Sequence, residues 1–167
     1  PEPAQPENQI VINEQNNDDF IFVQPLGLYV AKQRTLLGKN WFEAHKELQS
    51  QNLKMLIIPE FIEFLKYLKS NPSQENTQIY NEITEVRSPW RAEWIDADFK
   101  VKEKDLYVNY NHVLDSNGNL IPQKSEILDK ETLMKDRTPG ISLDDFLNSN
   151  HTAQGLPNKD IPKGNLY

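Results

Sequence analysis

Glu93, Asp96 and Asp98 stand close together inside the segment Ser88-Pro89-Trp90-Arg91-Ala92-Glu93-Trp94-Ile95-Asp96-Ala97-Asp98-Phe99. Carboxylates at this spacing can ligate a hard divalent cation such as Mg²⁺ or Ca²⁺, or one of them can act as an acid or base. The spacing matches neither the EF-hand calcium loop nor a two-metal signature. A structural role explains the same residues: Glu93 or Asp98 pairs with Arg91 or Arg87, while Trp90, Trp94 and Phe99 anchor the segment.

Only three histidines are available, His45, His112 and His151, and the sequence puts them in different elements. His45 is flanked by Glu43 and Glu47, which project to other faces of a helix and do not make a paired-histidine zinc arrangement. Its default is a satisfied, half-buried imidazole, whereas His112, beside a turn, is expected to be exposed. Ser88 and Ser142 lack a glycine-flanked nucleophile elbow, and the six glycines form no phosphate-binding loop. The absence of cysteine removes disulfides, zinc ribbons, iron–sulfur ligation and thiol catalysis together. On these grounds no residue is assigned as catalytic or as a metal ligand, and no cofactor is expected. The enzymatic alternative is a small metal- or acid/base-dependent hydrolase using Glu93, Asp96 and Asp98, with His45 or His112 reaching them through the fold.

The elements that must position these groups follow from periodicity. Phe20-Ile21-Phe22-Val23 and Leu28-Tyr29-Val30-Ala31 read as two strands around a Pro25/Gly27 turn. Trp41, Ala44, His45 and Leu48 recur at helical spacing up to about Gln51, and Phe61, Phe64, Leu65 and Leu68 do so on a second helix over about Pro59 to Lys69. Ser73 caps a third helix carrying Ile79, Tyr80, Ile83 and Val86. Asn117-Gly118 between Leu106–Leu114 and Leu120–Leu128 signals a β-hairpin, and Ser142-Leu143-Asp144-Asp145 opens a short helix to Leu147.

The chain has 167 residues with a net charge of −7, and five of those charges come from Glu2, Glu7, Glu14, Asp18 and Asp19, ahead of the first basic residue, Lys32. What remains is near neutral and lacks the basic stripe that binds phosphates, so nucleic acid is excluded as a partner. No apolar run spans a bilayer, and no signal-peptide pattern opens the chain, so it is expected to be soluble and not to insert into a membrane. Phe20 to Tyr110 holds 14 of the 16 aromatic residues. The chain therefore divides into an acidic extended arm (1–19), a globular domain (20–132) and an irregular C-terminal segment (133–167). Such ends bury too little apolar surface to order alone.

From Tyr29 to Leu68 the sequence resembles the C-type-lectin-like superfold, in its formylglycine-generating-enzyme-like branch. The residues are Tyr29 in a strand, Trp41-x-x-Ala44-x-x-x-Leu48 opening a helix, Lys54-Met55, and Glu60-Phe61 opening a second helix. Leu56-Ile57 stand where that branch often carries Pro-Thr, and the copper-binding cysteines of its enzymes are absent. The resemblance implies a non-enzymatic display or ligand-binding member.

The sequence thus predicts an α+β domain, two or three helices packed on a small antiparallel sheet with extended N- and C-terminal arms. Its expected function is that of a non-enzymatic binding or structural protein acting through protein–protein contacts, of the kind found in phage, viral or microbial assembly and display. A protein partner or a homo-oligomer is the expected company. The lectin-like ligand-binding module is the other non-enzymatic alternative, with carbohydrate as a conceivable ligand because rings stack on sugar faces. Ligand or interface candidates are Trp41, Trp90, Arg91, Glu93, Trp94, Asp96, Asp98, Tyr107 and Tyr110.

Overall fold

Short runs of aromatic and β-branched residues set the first element. Phe20–Val23 (β1) and Leu28–Ala31 (β2) pair antiparallel, with Phe20 opposite Ala31 and Val23 opposite Leu28. Pro25 sits in the 3-10 turn Gln24–Leu26 that joins them, and Gly27 closes it at a φ of 62°, a conformation open to glycine. The computed structural model describes residues 18–88, 93–127 and 143–148. Trp90, Arg91, Ser142 and most of both predicted arms lie outside them.

Three helices follow, each started by a side chain that meets a free backbone N–H. Asn40 accepts from the Glu43 N–H (3.0 Å) while Glu43 accepts from the Asn40 N–H (2.9 Å), a reciprocal cap on Trp41–Ser50 (α1). Glu60 accepts from the Ile57 N–H at 3.0 Å to start Ile58–Ser70 (α2), where Pro59 occupies the first turn. Ser73 accepts from the Asn76 N–H at 3.0 Å and opens Gln74–Thr84 (α3).

Beyond α3, Asp98–Lys102 (β3), Asp105–Leu114 (β4) and Leu120–Ile127 (β5) form a second antiparallel sheet in the order β3-β4-β5. The predicted hairpin is β4–β5, with Leu114 opposite Leu120 and Gly118 at a φ of 78°. Its Asp115–Asn119 loop is tied by Asp115, which accepts from the Asn117 and Asn119 N–H groups and is thereby held below the usual carboxylate range. The strand β3 was not foreseen, and neither was the division into two sheets. All three helices lie in the chain between β2 and β3, so the two sheets are separated in sequence, and they are covered by different helices.

The core follows this division. Val23 and Val30 of the β1–β2 hairpin pack with Phe64 and Leu68 of α2 and Ile79 of α3. A continuing cluster joins Ile62 and Leu65 to Leu147 on the short helix Leu143–Asn148 (α4). Leu147 belongs to the stretch read from sequence as irregular and sparse in apolar residues. The short helix read there from sequence is present, and it docks on α2 through Leu147 and through the ion pair of Asp144 with Lys69. The main contact of α1 is instead with β4. Leu68, 1% exposed, lies at the centre of the larger cluster. Leu68→Ala is expected to cost about 2–5 kcal/mol, read as a lowered urea midpoint with an unchanged slope.

Candidate functional site

Helix α1 turns Ala44 and His45 inward, and β4 turns His112 inward; Asp96, on the loop before β3, lies between the two imidazoles. Asp96 Oδ1 is 2.5 Å from His112 Nδ1 and 3.6 Å from His45 Nε2. The other carboxylate oxygen, Oδ2, accepts from the His112 backbone N–H at 3.0 Å. All three side chains are between 2% and 5% exposed. This corrects both histidine expectations: His112 is buried rather than exposed, and His45 is fully rather than half buried, with Nε2 lacking any hydrogen-bond partner.

The loop that presents Asp96 is held from two sides. The Asp96 N–H donates to the Leu56 carbonyl (2.8 Å), and Trp41 Nε1–H donates to the Ile95 carbonyl (2.9 Å). The Trp41 ring meets the His45 and His112 rings edge-on, with centroids 4.3 and 5.1 Å away. Trp41 is therefore a wall of the cluster as well as a helix-stripe residue.

Gln49, one helical turn beyond His45, completes the frame. Its Nε2–H donates to the His112 carbonyl and its Oε1 accepts from the Leu114 N–H, both at 2.9 Å. Together with Asp96 it occupies the edge of β4 that β3 leaves open, since the β3 pairing ends at Asp98 opposite Asn109. Two side chains here take the place of a neighbouring strand. Because the His112 N–H and C=O both turn away from β5, Pro122 stands opposite without costing the ladder a bond. Asn111, at a φ of 54°, adopts the left-handed conformation just before His112. A groove of about 470 Å³, lined by Gln49, Lys54, Asn111 and Gln123 among others, reaches Asp96 and His112.

The other candidates do not join the cluster. Asp98 pairs with Lys100 at 3.4 Å, and neither it nor Glu93 belongs to the His45–Asp96–His112 group. Arg87 pairs with Glu82 and Glu85 on and just after α3, not with Glu93 or Asp98. Trp94 is half exposed, with Nε1–H donating to the Lys39 carbonyl, and Phe99 is exposed, so neither buries itself as an anchor. Tyr107 is partly buried on β4. Tyr110 donates its hydroxyl to Glu126, and this bond, with some burial, pushes its pKa up to about 12. The signal for the cluster lay in Trp41 and His45 sharing one helical stripe, and in the alternation of His112 with the exposed Val113.

The chain matches no protein-family model, no curated protein and no solved structure. The site therefore has to be read from its own chemistry.

Burial pushes His45 below its ordinary value of 6.5, against the attraction of Asp96 and with help from His112. The unfolded chain takes up this proton at higher pH than the folded one, so stability rises with pH and is lost as pH falls below about 6.5. A urea midpoint that drops between pH 7 and pH 5 is expected, with a shallower drop in His45→Gln. A Gln49→Leu change leaves the His112 carbonyl and the Leu114 N–H without partners and is expected to cost about 1–3 kcal/mol by the same measurement.

Proposed function

We propose that this chain is a non-catalytic component of a protein assembly, and that its three-stranded sheet receives an extended strand from a second copy. The supporting observation is β3 itself. It is an outer strand, it has no neighbour on its free side among the described residues, and it leaves Phe99 51% and Val101 75% exposed. An unpaired strand edge is a template for another strand.

The alternation in β3 specifies what fits. Phe99 and Val101 point to one face, Lys100 and Lys102 to the other. Like charges oppose pairing of β3 with β3 of another copy, so the complementary strand is one with apolar residues and nearby carboxylates. Residues 1–19 have that chemistry: Ile10, Val11 and Ile12 lie between Glu7 and Glu14, and no basic residue occurs in the segment.

A hydrolase on Glu93, Asp96 and Asp98 would need the three carboxylates in one cleft, and Asp96 is instead committed to the histidines. The lectin-like alternative asks α1 and α2 to flank one sheet, whereas α1 rests on β4 and α2 packs against the β1–β2 hairpin.

Light scattering tests this reading. The full chain is expected to form a dimer or larger assembly at micromolar concentration, and a chain lacking residues 1–17 is expected to be monomeric. Val101→Lys in the full chain should have the same effect while leaving the circular dichroism spectrum unchanged. A full chain that stays monomeric at several hundred micromolar, or a truncated chain that associates equally well, overturns the proposal.

A further inference from the structure

The geometry points to a second property, independent of the docking edge: His45, Asp96 and His112 form a binding site for a divalent transition metal ion of the zinc class. Their ligand atoms all lie within 4.8 Å of one another. Two imidazole nitrogens and one carboxylate oxygen make a donor set of intermediate softness, suited to Zn²⁺, Co²⁺ or Ni²⁺ and poorly suited to Mg²⁺ or Ca²⁺, which take oxygen.

The independent observation is the state of His45 Nε2. It is buried, aimed at Asp96 Oδ1 from 3.6 Å, and has no hydrogen-bond partner. That distance is too long for a hydrogen bond and well proportioned for two ligands sharing one ion, since bonds of about 2.0–2.1 Å set neighbouring ligand atoms roughly 3–3.5 Å apart. His112 Nδ1, at 2.5 Å from the same oxygen, needs to withdraw by less than about 1 Å to become the third ligand.

The supports around the site are those that metal centres use. Asp96 keeps one oxygen on the His112 N–H, so the carboxylate stays oriented while its other oxygen ligates. The Asp96 backbone is fixed on Leu56, and Trp41 holds the preceding carbonyl and both ring edges. The groove reaching Asp96 and His112 is the route for the ion and for a water in the fourth position. Lys54, the cation in that groove, has its ammonium 2.5 Å from Glu60.

The test uses untagged full-length protein, stripped with chelator and titrated with Co²⁺ and then Zn²⁺. One equivalent of Co²⁺ should give the visible absorption of a low-coordinate site, and Zn²⁺ should abolish it while Mg²⁺ does not. Loss of a supporting residue typically weakens a metal site roughly 10–100-fold, so loss of a ligand in His45→Gln or His112→Gln should weaken Zn²⁺ binding at least about 100-fold. His151→Gln should change nothing. Where a variant fails to fold, imidazole NMR of the unaltered chain decides: Zn²⁺ should shift two of its three histidines, leaving that of His151 in place. A folded chain that binds neither metal, or binds them as well in His45→Gln and His112→Gln, overturns the inference.

Discussion

The Asp96 carboxylate is the point on which the two halves of the molecule depend. One half is the β1–β2 hairpin packed under α2 and α3, and the other is the β3–β5 sheet leaning on α1. Asp96 touches His112 of β4 through ring and backbone and faces His45 of α1, while its own N–H is held by Leu56. Leu56 also packs against the cluster around Phe64 and Leu68. A single residue thus joins the sheet, the first helix and the larger core. Burying a carboxylate is costly unless it is paired and hydrogen-bonded, which is why the surroundings supply a backbone N–H and two imidazoles.

A polar centre of this kind changes how the domain holds its shape. Between α1 and β4, Gln49 hydrogen-bonds both the His112 carbonyl and the Leu114 N–H, and hydrogen-bonding groups accept only a narrow range of geometries. Oily surfaces can slide over one another; this junction cannot. The same rigidity sets the position of β3, which begins two residues after Asp96 and presents Phe99 and Val101 outward. The buried cluster and the exposed strand are therefore linked by the chain itself.

The sequence made α1, α2, α3 and the β4–β5 hairpin legible because each carries a local signal: apolar residues at helical spacing, a capping side chain at Ser73, or Asn-Gly in a turn. The β3 strand was missed because only Phe99 and Val101 mark its alternation, and neither is buried. For the site, Asp96 was singled out with Glu93 and Asp98 as its companions, and His45 or His112 entered only as alternatives reaching them through the fold, since neighbours in sequence are what a sequence displays directly. The true companions come from other elements and meet Asp96 only through folding. His112 was misjudged for a related reason: its place beside a hairpin turn pointed to exposure. Asp96 reverses that choice by giving the imidazole a partner inside.

Gln49 has a consequence for how the molecule breathes. A backbone amide in a strand is normally shielded from exchange with water by the strand beside it, yet the Leu114 amide is shielded by a glutamine from a helix. Its hydrogen is open to exchange whenever Gln49 releases it, even if the β4–β5 hairpin stays zipped. One amide near the end of a hairpin thus reports on the contact with a helix that precedes it in the chain by two further helices and a strand.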